Sequence, residues 1–291
     1  MTIGDHNILI KIREMKDSLT PVEQKVADCI LEYQREVPKM SIKTLSTLSG
    51  TSEASVLRFC KTVGFTGYRE FIISVTSSLV MNIDDENTEE KPYTDLQPGD
   101  DFPVIIRKIA KRNIQSIEDT ISVLNTSEVT AAVKVIQKAR RICFFGIGAS
   151  SLVCMDAVHK FLRINMNCFT WEDSHQQYAM ATLLTREDVA ILVSNSGNTQ
   201  EIVDILEIAK KQKAKVIAIT RYSKSILAEK ADIVLSMSTP EIMIRSGAMG
   251  SRIAMLTIVD ILFSCVASAD YDVIKKYLKK TNDIIKEKKR R

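Results

Sequence analysis

Ser194-Asn195-Ser196-Gly197-Asn198-Thr199 gathers three hydroxyls, two side-chain amides and a glycine into six residues. Such a turn can do one piece of chemistry well, which is to surround a phosphate with hydrogen-bond donors. Gly197 lets the backbone come close to a ligand. Ahead of the turn, Val189-Ala190-Ile191-Leu192-Val193 reads as a buried strand of a parallel sheet. Behind it, Ile202, Val203, Ile205, Leu206, Ile208 and Ala209 recur at helical spacing. The turn therefore opens a helix whose N-terminus adds free N–H groups and a positive dipole end. A plainer reading stays open, that Ser196 or Thr199 only caps the helix. Three hydroxyls flanking a glycine are more than a cap needs.

A second turn of this type is Gly146-Ile147-Gly148-Ala149-Ser150-Ser151, after the apolar run Arg141-Ile142-Cys143-Phe144-Phe145. Gly-x-Gly after a strand also begins a dinucleotide fingerprint, and Glu172 or Asp173 falls about where its ribose-binding acid would. Ser151 stands at the third glycine of that fingerprint, so no nicotinamide cofactor is expected. Only three histidines are present and the six cysteines form no C-x-x-C pair, so no metal site is expected and no cofactor is called for.

The elements that must hold these turns follow from the flanking pattern. Strands at 141–145, 168–170, 189–193, 215–220 and 233–236 alternate with helices, which predicts a doubly wound parallel five-stranded α/β sheet over residues 125–267. The ligand of such a sheet lies outside the carboxyl ends of its strands. Upstream, residues 104–124 form a connecting helix with Ile105, Ile109, Ile114 or Ile117 and Leu124 apolar, and residues 127–139 a further helix. The apolar run 253–262 is a core or dimer-interface helix, and 268–291 a basic helix and tail.

Residues 1–80 are all-α by pattern. A helix opens at Ile8 and ends near Ser18. Thr20-Pro21-Val22-Glu23 is a capping box that starts a second helix, with Val26, Cys29, Ile30 and Tyr33 on one face. Ser41 caps a third, with Ile42, Leu45 and Leu48 as its stripe. After Ser49-Gly50-Thr51, Ser52 starts a fourth helix with Val56, Leu57 and Phe59 inward, and Gly64-Phe65-Thr66-Gly67-Tyr68 turns into a fifth. Two short helices around a glycine turn make a helix-turn-helix pattern. In it Ser52, Glu53 and Ser55 point outward to base edges, Arg58 follows one turn on, and Lys43, Lys61 and Arg69 reach phosphates. Residues 81–103 form an acidic linker, rich in Asp and Glu from Asp84 to Asp101. With a net charge of +4, composition alone names no partner. No apolar run reaches the ~18 residues of a membrane span and no signal peptide is evident, so a cytoplasmic protein with reduced thiols and no membrane partner is expected.

Gly146-x-Gly148-x-Ser150, Ser194-x-Ser196-Gly197-x-Thr199 and Glu241 before a long apolar helix resemble a sugar isomerase (SIS) domain. With the five-helix segment and Gly64-Phe65-x-Gly67 in front, the chain as a whole resembles the RpiR family of bacterial transcriptional regulators. His159-Lys160-Phe161-Leu162-Arg163-Ile164 and the stretch from Arg252 through Asp260 to Phe263 are also similar to that family. The resemblance implies a homodimeric or homotetrameric, non-enzymatic regulator, more often a repressor, of carbohydrate-metabolism genes. It would bind a palindromic double-stranded DNA operator under control of a phosphosugar. By similarity Ser150, Ser151, Ser194, Ser196, Gly197 and Thr199 would hold the phosphate, with Asn195 and Asn198 at the rim. His175 and Glu241 are candidates for the sugar, although each also has a plain reading, as a surface or capping histidine and as a helix N-terminal charge. The competing class is an aldose–ketose phosphosugar isomerase, for which His175 and Glu241 are the only attractive bases.

Overall fold

The computed structural model describes residues 8–80, 100–239, 248–269 and 271–289. The linker expected at 81–103 thus lies mostly outside the described residues, and Glu241 lies outside them altogether. The chain divides into two compact units, residues 1–108 with 222–224, and residues 109–221 with 225–291.

The first unit is helical. Helices α1 (Ile8–Met15), α2 (Pro21–Glu32), α3 (Ile42–Leu48), α4 (Glu53–Thr62) and α5 (Tyr68–Val80) surround one core. The capping box forms as the sequence requires: Glu23 N–H donates to Thr20 Oγ1, and Thr20 N–H donates to Glu23 Oε2. Glu23 also accepts from Thr62 Oγ1 at 2.6 Å, which ties α2 to α4. Phe59, Phe65 and Phe71 meet edge to face at the centre. Tyr68 O–H closes the base by donating to Met40 O at 3.0 Å.

Three residues expected inward face out. On α4 the buried arc is Val56, Phe59, Cys60 and Val63, so Leu57, rotated ~100° from Val56, is exposed. Leu48 ends a seven-residue helix whose core contact is already made by Leu45, and Tyr33 is the C-cap of α2 rather than a member of its stripe.

The second unit carries the sheet, β1 (Ile142–Gly146), β2 (Cys168–Thr170), β3 (Val189–Val193), β4 (Lys215–Arg221) and β5 (Ile233–Met237), all parallel in the order β2-β1-β3-β4-β5. Its other helices are the C-terminal part of α6 (Phe102–Val123), then α7 (Thr126–Lys138), α8 (Ala149–Leu162), α9 (Ser174–Thr182), α10 (Gln200–Lys211), α11 (Ile226–Lys230), α12 (Met249–Ala269) and α13 (Tyr271–Lys289). Successive strand side chains point to opposite faces, so each strand serves two cores. Phe144, Ile191 and Ile217 pack with α7, α8 and α12, whereas Phe145, Leu192 and Ala218 pack with α10 and α11.

Helix α12 is long and apolar enough to cross a membrane by length and composition. Here Ala254, Met255, Ile258, Val259 and Leu262 are buried in the core of the sheet unit. Of the alternatives Ile114 and Ile117 on α6, Ile114 is exposed and Ile117 half-buried, while Ser116, Asp119 and Thr120 are buried. Thr120 Oγ1 donates to Ser238 O at 2.9 Å, a polar seam that periodicity alone does not reveal. All six cysteines are free, and burial pushes the Cys143 and Cys154 thiols up to about 12.

Candidate functional site

Chain order and strand order together place the site. From β1 the chain moves to one side to form β2, then crosses to the other side for β3, β4 and β5. The crossovers diverge between β1 and β3, and a crevice opens at the carboxyl ends of those strands. Gly146 and Val193, the last residues of the two strands, are register partners. The two hydroxyl-rich turns therefore leave the sheet side by side.

In the β3 turn the three hydroxyls form one chain. Ser194 Oγ accepts from Gly197 N–H at 3.1 Å and lies 3.2 Å from Thr199 Oγ1, which is 3.4 Å from Ser196 Oγ. Ser196 Oγ also accepts from Asn198 N–H at 3.3 Å. Thr199 occupies the N-cap of α10 but its side chain makes no cap bond. The capping reading is thereby weakened, because the hydroxyl at the cap position turns into the loop. Ser194 is buried, Asn195 and Thr199 are half-buried, and Ser196 and Asn198 are exposed. Asn198 Oδ1 accepts from Ile226 N–H at 3.0 Å, and Asn195 O accepts from Arg221 N–H, so both asparagines help fasten the turn to the end of β4 and the start of α11.

Gly197 has φ +64°. A Cβ there would lie 2.2 Å from Ser225 Oγ and 2.8 Å from Thr220 Oγ1, so glycine is required twice over, by conformation and by space. Thr220 Oγ1 is buried against this turn with no hydrogen-bond partner among the described residues.

The β1 turn is built differently. Gly148, at φ +60°, is the N-cap of α8 and supplies no side chain. Ser151 Oγ donates back to Gly148 O at 2.7 Å. Ser150 is buried and its hydroxyl contacts Met255 Sδ of α12 at 3.9 Å, a weak acceptor that a phosphate oxygen would outcompete. His175 is exposed in the first turn of α9. The cap of that helix is Asp173, which accepts from Gln176 N–H at 3.0 Å, so His175 has no capping task.

Sequence reasoning missed Gln177, Thr220 and Ser225. Gln177 is fully buried, and its Nε2 donates to Gly146 O at 3.1 Å and to Trp171 O at 2.8 Å, fixing the mouth of β1. Its inward position one turn after Asp173 was a usable signal. Thr220 was also visible, as a hydroxyl at the carboxyl end of a strand.

The buried ionic network lies at the opposite, amino-terminal ends of β1 and β3. Burial alone would raise the Asp188 pKa, but hydrogen bonds from Arg140, the Thr185 N–H and Arg141 hold its carboxyl below the usual range. The crevice turns themselves carry no ionised side chain. Any affinity of these turns for a dianion would have to come from N–H and O–H groups and the starts of α8 and α10.

In the helical unit, Gly50 at φ +62° makes the turn between α3 and α4. Ser52 caps α4, its hydroxyl accepting from Ser55 N–H at 3.2 Å. Ser55, expected to point outward, is buried and lies 2.9 Å from Ser52 Oγ, because it falls on the same arc as Val56 and Phe59. Its hydroxyl accepts from Arg58 at 3.3 Å, so it orients Arg58 instead of meeting a base. Glu53, Ala54, Leu57, Arg58, Lys61 and Thr62 are the exposed residues of α4, and Lys43 and Arg69 are exposed on α3 and α5.

Comparison with known proteins gives a consistent result over the whole length. Residues 6–81 match the helix-turn-helix domain of the rpiR family and residues 135–265 match the SIS domain. An uncharacterised HTH-type transcriptional regulator from Caldanaerobacter subterraneus subsp. tengcongensis is 42% identical over 97% of this chain and 98% of its own. The uncharacterised HTH-type transcriptional regulator YbbH of Bacillus subtilis is 33% identical over 94% of this chain and 95% of its own. Among solved structures, the Vibrio vulnificus NanR protein complexed with ManNAc-6P is similar at 25% identity with a TM-score of 0.59, covering 96% of this chain and 98% of that one.

Proposed function

The chain belongs to the RpiR family of HTH-type transcriptional regulators, and we propose that it binds an operator through α4 under the control of a phosphosugar held at the β1–β3 crevice. The observation that supports the ligand class is the linked set of Ser194, Ser196 and Thr199 hydroxyls around the Gly197 N–H, in a turn that opens a helix and itself contains no acidic residue. A dianion gains from many fixed donors and from a helix N-terminus, and loses from any carboxylate nearby. The structural neighbour NanR, complexed with an amino-sugar phosphate, supports the same class.

On this reading Arg58, Lys61, Lys43 and Arg69 contact phosphates, Glu53 and the cap Ser52 face base edges, and Ser55 acts through Arg58. A homodimer or homotetramer in the cytoplasm would present two such heads to a palindromic site with half-sites about 34–36 Å apart. Release of the operator by the sugar, as in a repressor, is the sign we propose. We assign the crevice to sensing rather than catalysis: His175 is exposed on α9 and has no described carboxylate as hydrogen-bond partner.

The test combines thermal denaturation against a panel of sugar phosphates and amino-sugar phosphates with selection of binding duplexes from a random pool. A ligand at 100 times its dissociation constant stabilises by about 2.7 kcal/mol. Arg58→Ala should weaken duplex binding and flatten its salt dependence while the ligand shift persists. Ser196→Ala should weaken the ligand by about 1.5–3 kcal/mol and leave duplex binding alone. A full complement of duplex binding that ignores every phosphosugar, or turnover of any of them, would sink this assignment.

A further inference from the structure

A second cavity of about 720 Å³ lies in the sheet unit between α8, α12 and α13, away from the strand ends. Its floor includes Phe263 and Leu278, and its walls carry Lys160 and Arg163 at the end of α8 and Lys275 and Lys279 on α13. These cations are not equivalent. Lys160 is bracketed by Asp156 and Asp260, and those hydrogen bonds outweigh burial and raise its pKa. Arg163, Lys275 and Lys279 have no carboxylate within 4 Å among the described residues, and Lys275 has only the Tyr271 ring, 5.7 Å away. Arg163 Nε is buried with no hydrogen-bond partner among those residues.

Three uncompensated cations thus converge on one concave volume of ligand size. Lys275 and Lys279 are one helical turn apart on α13, and both line the same volume as Arg163 at the end of α8. One phosphate could not engage both walls as well as two linked phosphates can. We propose that this groove is a second anion site that takes a small molecule bearing two or more linked phosphates, with the Phe263–Leu278 floor receiving the apolar part of the molecule it carries. The site is independent of the β1–β3 crevice, since no residue is shared.

The test is titration of inorganic pyrophosphate and of adenosine 5′-diphosphate into the full chain, followed by calorimetry. The crevice is silenced in parallel by Ser196→Asp, which places a carboxylate where the crevice offers donors. Binding of either probe should survive Ser196→Asp and weaken roughly tenfold or more in Lys275→Gln/Lys279→Gln, with recovery in Lys275→Arg/Lys279→Arg. Both lysines are exposed, so the glutamine pair should melt where the parent does. No binding of either probe, or binding lost with Ser196→Asp and untouched by the lysine changes, overturns the proposal. So does a change of sedimentation mass in the glutamine pair, which would assign the groove to contact between copies of the chain.

Discussion

Replacing Gly197 by alanine tests how tightly the β3 turn is built. Two costs are expected. The residue sits at φ +64°, and an L side chain in that region costs about 1–2 kcal/mol. The new methyl would also lie 2.2 Å from Ser225 Oγ, 2.7 Å from Ser225 Cβ and 2.8 Å from Thr220 Oγ1, an overpacking worth about 1–3 kcal/mol. Together they destabilise the sheet unit by about 2–5 kcal/mol. Trp171 is the only tryptophan and packs against the core formed with α10, so its fluorescence reports that unit selectively in urea. With a denaturant slope of roughly 2–3 kcal/mol/M the midpoint should fall by about 1–2 M. The Ser225→Gly background separates the two costs. Ser225 caps α11 by accepting from Ala228 N–H, and serine to glycine at a cap costs only a few tenths of a kcal/mol. With both Ser225 contacts gone, Gly197→Ala should be milder by about 1 kcal/mol or more, the strain and the Thr220 contact remaining. A midpoint unchanged by Gly197→Ala, or a cost identical in both backgrounds, would refute the claim that this turn is sterically closed.

Two further outcomes follow from the same unit. Lys213 is non-glycine at φ +62°, in the position after the α10 C-cap where Ala214 N–H reaches back to Ala209 O; Lys213→Gly should raise the Trp171-reported stability by about 1 kcal/mol, and a fall would show that the left-handed turn carries no strain. Asp188 has a depressed folded pKa, so its contribution to stability is present above the unfolded value of about 3.9 and is lost as pH falls through the folded one. Asp188→Asn should therefore be less stable near neutral pH and converge on the parent below about pH 4; a gap that stays constant from pH 7 to 3 would refute that coupling.

Much of the fold was legible because its signals are local. Val189–Val193 and Cys168–Thr170 appear as strands with the expected bounds, since a short apolar run between turn residues has few alternatives. The α2 capping box was equally plain, as Thr20, Pro21 and Glu23 fix one another within four residues. The failures are questions of rotation and of distant pairing. Leu57 and Ser55 are adjacent to true core positions on α4, and one residue of error on a helix moves a side chain by ~100°. Ser225 and Thr220 close on Gly197 only once β4 lies beside β3, a long-range pairing that no local spacing encodes. The hydroxyl character of the crevice could be read in advance. The way Ser150 is aimed at Met255 could not, because α12 enters a hundred residues later.

The strict alternation of the sheet has a consequence for how such a protein diversifies. In β1, β3 and β4 the alternate apolar side chains are divided between two cores, so these strands have nothing left with which to discriminate ligands. On the proposed function, recognition falls to short segments at the strand ends, held in place by backbone anchors such as Leu227 N–H to Gly197 O. A lineage can then change what it senses by exchanging those tips, as interchangeable parts on a fixed chassis, without renegotiating the interior.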